Sequence, residues 1–391
     1  MNEFIKKIFN SICWFLTWVI NQGLVLICFK ESHSLWKLPE NGVSKEMKAE
    51  FKVNRAFLKK YGFRALKRDF YVFRNYLVEK GNDPKFIVPA YVVHRYLTAI
   101  LNPIPYSAYF EDKNMLDKIL PSDCQPKTFF RRMEGCWYDA QYNPVCFTEI
   151  KSFMTDGCLI PSIIVKPSRD SSSGKGIMLF KNNQGKWLTI DGENDFFELI
   201  DENHWNNSDL IIQEVIEQHE FLRRLCPTSV NSLRLVIYNS PVDSDVSLIW
   251  SGLKIGAMGS VVDNNHAGGL MFGVGNDGTI ASYGADLHGN KYHVFNGIDF
   301  SKESLIVPGF KEIVEFAKSR AKCFLPCRFL AFDIAVDKDG KPIVIECNMR
   351  SYGGWACQFA GDPMLGDKSE EILSYLSSHK NKGCKVFYKI I

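Results

Sequence analysis

The spacing of apolar residues changes twice along the chain. Between Ile12 and Phe29, 14 of 18 residues are apolar, Lys6 and Lys7 precede them, and Asn21-Gln22-Gly23 interrupts the run. A spanning helix needs about 20 continuous apolar residues, and no small-residue cleavage site follows. The pattern therefore predicts a helix that either packs on the body of the protein or lies in a membrane interface. From Ser44 to Lys80 the period is helical, with Phe51, Phe57, Leu58, Leu66, Phe70 and Phe73 set among Lys and Arg. A further helical stretch, Ala90 to Leu101, ends at Asn102-Pro103.

Beyond that point short apolar runs dominate. They predict strands at Lys127–Arg131, Ser162–Lys166, Gly176–Phe180, Leu210–Val215, Ser232–Tyr238, Val246–Ile255, Phe329–Val336 and Pro342–Cys347. Helices are predicted at Asn114–Leu120, Phe310–Cys323 and Ser369–Ser377. Strands mixed with helices and hairpins imply an α+β body. The expected organisation is a basic helical region (residues 1–83), a first lobe (84–215) and a second lobe (216–391).

Composition narrows the function classes. The 391 residues hold 47 basic and 44 acidic side chains, a net charge of +3. That balance excludes a disordered tail and a generic polyanion binder, so no nucleic-acid partner is expected. The charge is uneven: residues 1–80 carry 15 Lys/Arg and 7 Asp/Glu, so the remainder nets −5. The 12 cysteines include no C-x2-C pair, and the Cys323/Cys327 spacing has no second half, which favours buried free thiols over zinc.

The segment Phe329 to Asn348 carries the most chemistry. Two apolar runs flank Asp339-Gly340, the sequence preferred for a two-residue type I′ turn. That turn would place Asp333 opposite Glu346, with Asn348 on the same face. Two carboxylates and an amide oxygen form a hard donor set suited to Mg²⁺ that also bridges phosphates, although a solvated polar stripe would share the pattern.

Other segments are weaker alone. The run Ile163-Ile-Val-Lys166-Pro167 leads into a Ser/Gly loop through Ser171, Ser172, Ser173, Gly174, Lys175 and Gly176. Such loops can turn N–H groups toward phosphate, yet no Walker A motif is present, and a plain mobile loop fits as well. Gln213-Glu214-Val215-Ile216 ends an apolar strand and is followed by Glu220, a composition able to meet an adenine edge and ribose. Asn231 stands at a strand entrance, and Arg234 in its apolar core requires an anionic partner. Asn265, His266, Gly268 and Gly269 lie in a turn-rich loop of the kind that lines sites.

In order and spacing these segments resemble the ATP-grasp superfamily, most closely its sugar-transfer-associated family, over roughly Tyr106 to Leu376. The resemblance rests on Asp112-Lys113-Asn114, Val165-Lys166-Pro167 with the Ser/Gly loop, Asn231-Ser-Leu-Arg234, and Asp333 with Asp339-Gly340 and Glu346-Cys-Asn348. It implies an ATP-grasp fold of two α+β lobes sandwiching ATP, preceded by the helical N-terminal extension. By that likeness Lys113 and Lys166 contact phosphates under the 171–176 loop, Gln213 to Ile216 form the adenine hinge, and Glu220 holds the ribose. Arg234, with Lys166, serves the transferred phosphoryl group, and Asp333, Glu346 and Asn348 hold magnesium. Asn231, Asn265, His266, Gly268, Gly269 and Arg350 are the expected substrate contacts. The segment after the hairpin, Met349-Arg350-Ser351-Tyr352-Gly353, departs from the usual Pro/Gly run and leaves the acceptor pocket open.

The activity so implied is an ATP-dependent carboxylate–amine ligase working through an acylphosphate in bacterial capsular or surface polysaccharide assembly, joining an amino acid to a uronic acid or sugar amine. Its partners would be small-molecule or glycan-linked carboxylates and amines. Its place would be the cytoplasm, with possible peripheral contact with the inner membrane face through the N-terminal helices. A kinase acting on a small molecule or sugar, or a non-catalytic membrane-peripheral assembly protein, would use the same nucleotide site. The sequence does not fix the oligomeric state.

Overall fold

A computed structural model describes residues 36–39, 42–156, 158–169, 174–350 and 352–380, with isolated positions (11, 12, 15, 19 and 23) near the N-terminus. The apolar run from Ile12 to Phe29 therefore lies almost wholly outside the described residues, and so do Ser171, Ser172 and Ser173. Among the described residues no helix is long and apolar enough to cross a membrane.

Two sheets organise the chain. The first contains β1 (Thr128–Met133), β2 (Cys136–Asp139), β3 (Ser162–Pro167), β4 (Met178–Asn183), β5 (Lys186–Thr189) and β6 (Leu210–Glu214), in the order β2-β1-β6-β3-β4-β5. The second contains β7 (Ser232–Asn239), β8 (Val246–Ile255), β9 (Leu270–Val274), β10 (Ile280–Ala285) and β11 (Lys291–Tyr292). Two late strands complete it, β14 (Phe329–Val336) and β15 (Pro342–Asn348), in the order β11-β10-β9-β8-β7-β14-β15. A short ribbon, β12 (Val294–Phe295) with β13 (Ile298–Asp299), stands apart. The strands expected from periodicity are all present. Gly176 does not open β4 but closes a turn at positive φ, its carbonyl accepting from Trp205 Nε1 at 2.8 Å. Strands β2, β5, β9 and β10 were not expected. The first two are only four residues long, and β9 and β10 carry Gly273 and Gly284, which break the β-rich runs.

Alternation along β7 separates the second sheet's faces. Leu233, Leu235 and Ile237 point into a core with Leu253, Phe272 and helix α3 (Phe310–Ala321). Val236 and Tyr238 point the other way, into a core shared with α1 (Lys45–Lys60) and α2 (Lys67–Glu79). The Ser44–Lys80 helical pattern thus resolves into two helices. Ser44 caps α1 by accepting from Met47 N at 3.1 Å, and Tyr61 to Leu66 break the pattern. Phe51, Leu58, Phe70 and Phe73, expected as their apolar face, are buried together.

Residues 84–101 join this same core through Val88, Val92, Leu97 and Leu101. The core therefore does not divide at 83/84, and the N-terminal helices are part of the second lobe's packing. Above Arg234, the same sheet face is left uncovered and opens into a cleft.

Candidate functional site

The Phe329–Asn348 hairpin delivers the expected pairing by an unexpected route. Asp337 N donates to the Lys341 carbonyl at 3.0 Å, so the loop is the three residues Lys338-Asp339-Gly340, with Gly340 at φ +84. This is the three-residue hairpin that needs glycine in the left-handed region, not the two-residue type I′ turn. Near the turn Val336 pairs with Pro342 and Ile334 with Val344, one step out of the expected register. A bulge between Asp333 and Ile334 restores that step, and Asp333 faces Glu346 as anticipated.

Asp333 also lies opposite Arg234 on the adjoining strand, so three charged residues form one row across β15, β14 and β7. The Arg234 guanidinium grips Asp333 with two bonds: Nε donates to Oδ1, and the second nitrogen donates to Oδ2 at 2.9 Å. Lys254 Nζ donates to the same Oδ2 at 2.9 Å and lies 3.5 Å from Asp263. Asp263 in turn accepts from Ser232 N at 3.0 Å. Gly252 on β8 pairs with Arg234, and the Trp250 ring covers it, so that a Cβ there would lie 2.3 Å from that ring.

Burial and neighbouring charge compete here, and the winner differs between Asp333 and Glu346. Burial raises the Asp333 carboxyl, against the opposing pull of Arg234 and Lys254. Burial would also raise Glu346, but Lys113 beside it, at 3.2 Å, and the remaining partners hold it well below the usual carboxylate range. Asn348 Nδ2 donates to Glu346 Oε1 at 3.0 Å. In the facing lobe Lys166 is buried, and its Nζ donates to Gln213 Oε1 at 3.3 Å. Burial and the nearby Lys113 charge depress the Lys166 ammonium to about 8.

These groups surround a cleft of about 1410 Å³ between the two sheets. Lys113, Lys166, Gly174, Glu214, Val215, Ile216 and Glu220 line it toward the first lobe, while Arg234, Asp333, Glu346 and Asn348 line the second-lobe floor. Asn265, His266 and Arg350 reach it as well. The Arg350 side chain is already engaged by Glu111, which also accepts from the Met349 and Arg350 backbone at 2.7 and 2.8 Å.

Several expected contacts are placed elsewhere. Asn231 is fully buried below the cleft: its amide nitrogen reaches Gln218, Leu222 and Cys226, and its oxygen accepts from Gly256 N at 3.2 Å. No polar atom of Asn231 is left for substrate, so its role is to anchor the entrance of β7. Gln213 lies behind Lys166 instead of at the hinge surface, and Lys175 does not line the cleft. Gly268 and Gly269 shape their loop. Gly268 has φ +84, and a Cβ on Gly269 would lie 2.7 Å from the Asp263 carbonyl oxygen.

Lys254, Asp263 and Glu111 were not singled out as site residues from the sequence. Lys254 carried the same signal as Arg234, a lone cation in an apolar strand, and the other two become legible only through their partners.

A cleft between two α+β lobes, with lysines on one wall and a carboxylate hairpin on the other, is the arrangement of the ATP-grasp class. The chain belongs to the sugar-transfer-associated ATP-grasp family, whose sequence pattern matches residues 95–373. No curated protein matches it in a sequence comparison.

Among solved structures it is similar to an L-amino acid ligase from Bacillus licheniformis (12% identity, TM-score 0.31), covering 62% of this chain and 41% of that one. It is also similar to D-alanyl-alanine synthetase A from Vibrio cholerae O1 biovar eltor (13% identity, TM-score 0.41), covering 71% of this chain and 67% of that one. A third similar structure is D-alanine–D-alanine ligase from Bacillus anthracis (14% identity, TM-score 0.39; 88% and 94% covered).

Proposed function

We propose that the protein is an ATP-dependent carboxylate–amine ligase that joins an amino acid or other amine to a sugar-borne carboxylate through an acylphosphate. One observation carries this reading: Lys113, Lys166, Arg234 and Lys254 converge with three carboxylates, Asp263, Asp333 and Glu346, in one buried cleft. With no ligand counted, this cluster is one charge positive. An anionic ligand would offset that charge, and a polyphosphate would do so with a metal ion sharing its load; a neutral substrate would not.

Magnesium fits the same residues, provided that it enters with the triphosphate. The ion takes one or two carboxylates, keeps waters and shares phosphate oxygens. Glu346, Asp333 and Asn348 supply such a partial set, and among the described residues no cluster of three His, Cys, Asp or Glu could hold a metal by itself. Bound there, the ion would offset charge developing on the phosphoryl oxygens.

The chain's own residues perform the remaining tasks. Lys113 and Lys166 bind phosphate oxygens from the first-lobe side, and Glu214 to Ile216 with Glu220 meet adenine and ribose. Arg234 and Lys254 hold the γ-phosphoryl group in place as a substrate carboxylate oxygen attacks phosphorus and ADP leaves. An amine then attacks the acyl carbon, phosphate departs, and the amine gives up a proton. The substrate's glycan character is supported by the family's association with sugar transfer. Incubating the protein with ATP, Mg²⁺, uronic acids and amino acids should release ADP and phosphate together with an amide. AMP release would contradict the reading.

A further inference from the structure

The floor of the cleft can be followed strand by strand. Glu346 lies on β15, Asp333 on β14, Arg234 on β7, Lys254 on β8 and Met271 on β9, and Leu287 follows β10. Adjacent strands lie about 4.8 Å apart, so the path from Glu346 to Met271 spans roughly 19 Å. Lys113 and the nucleotide-facing wall stand at the Glu346 end. The opposite end is lined by Met271, Leu287, His266, Asn265 and Trp355, and it is the part of the cleft left free when a nucleotide takes the Lys113 side.

That far end is lined by residues inside the matched family segment of 95–373 and braced by residues outside it. Trp355 sits in helix α4 (Gly354–Phe359), and its ring packs against Phe359 at 6.0 Å between centroids. Phe359 is the hub of an aromatic cluster: Phe73 lies 4.9 Å away, Tyr76 5.1 Å and Trp36 5.9 Å. The same side chains hold the other wall. The Tyr76 hydroxyl donates to the Gly289 carbonyl, and Trp36 Nε1 donates to the Leu287 carbonyl at 3.2 Å. Past α4, Lys80 pairs with Asp362 at 2.7 Å, and Asn82 Nδ2 donates to the Gly361 carbonyl at 2.7 Å. A Cβ on Gly289 would lie 2.4 Å from the Phe359 ring, so the two walls touch with no slack.

We propose that Trp36, Phe73 and Tyr76 of the N-terminal region are positioning residues for the acceptor end of the cleft, fixing Trp355 and the Leu287 loop against which the carboxylate-bearing substrate is held. The proposal rests on the ligase reading for the identity of that substrate, and on packing alone for the mechanical coupling. Without this support α4 would keep Ala356 and Cys357 in the core but lose the aromatic contacts that fix Phe359 and, through it, Trp355.

The test uses the full-length chain with Tyr76→Phe, which keeps the ring contact and removes the bond to Gly289, and Trp36→Phe, which removes the bond to Leu287. With the uronic acid found active in the panel, each variant should raise the acceptor KM about fivefold, the worth of one hydrogen bond, and leave kcat and the ATP KM within about twofold. An equal rise in the ATP KM, or an unchanged acceptor KM, overturns the proposal.

A second measurement needs no acceptor. With 5-fluorotryptophan incorporated and Trp355 assigned through Trp355→Phe, the Trp355 fluorine signal should shift or broaden in both variants. That of Trp187, in the first sheet's core, should not move. An unmoved Trp355 signal refutes the coupling even if no uronic acid is turned over, whereas a moved signal with no turnover counts only against the ligase reading.

Discussion

Glu346 and Lys166 show how differently one cleft treats its charged residues. Glu346 is kept ionised by Lys113. Glu346→Gln removes the acidic partner that Lys113 meets and the charge that would meet magnesium, and turnover should fall by at least about 100-fold, a few kcal/mol of lost electrostatic stabilisation. Residual activity above a tenth of the parent would remove Glu346 from the site.

Lys166 makes a pH-dependent prediction. Its ammonium is depressed to about 8 in the free protein, whereas the unfolded chain holds the proton to its ordinary value of 10.5. Between those values the unfolded state binds more protons, so the stability cost of burying Lys166 is full below about pH 8 and disappears as pH rises toward 10.5. Nucleotide binding works the other way, because phosphate favours the charged form. Calorimetry in buffers of different ionisation heat should show proton uptake when ATP binds near pH 8.5 and almost none near pH 6.5. Equal uptake at both would place the phosphate away from Lys166.

At the scale of elements, the Asp263–Gly269 loop and the hairpin carry the argument. Gly269 is packed so closely that Gly269→Ala must displace the Asp263 or Asn264 carbonyl. Asp263 anchors Lys254 and Ser232, so the substitution should lower ATP-dependent turnover about tenfold or more, with a smaller loss of thermal stability. Wild-type turnover in that variant would detach the loop from the site.

The hairpin also shows what was legible in the sequence. Asp333 opposite Glu346 could be anticipated only because the bulge after Asp333 offsets the extra residue of the three-residue loop. The turn type could not, because Asp339-Gly340 serves both two- and three-residue loops and the compensating bulge leaves no composition signal. Arg234 and Lys166 were visible as lone cations in apolar strands, and Asn231 was visible for the wrong purpose. Asparagine at a strand entrance looks the same whether it meets substrate or, as here, four protein partners.

For the whole molecule, the sequence showed helices before residue 101 but not where they pack. Their apolar face covers Val236, Tyr238 and Trp250, the continuation of the strand face that carries Arg234. Removing residues 1–80 should therefore uncover a sheet face and abolish soluble expression of the second lobe, in contrast to the behaviour of a detachable appendage. A well-folded truncate with parent-like ATP affinity would contradict that placement. Part of the +8 on residues 1–80 lies on the outward face of α1, where Lys48, Lys52, Arg55 and Lys59 are exposed.

The measurement closest to the central claim follows one oxygen atom. A uronic acid labelled with ¹⁸O in its carboxylate is turned over with ATP, Mg²⁺ and an amine, and the released phosphate is weighed by mass spectrometry. An acylphosphate route predicts ADP and one ¹⁸O in each phosphate. Unlabelled phosphate, AMP, or a stable phosphorylated sugar that needs no amine would contradict it.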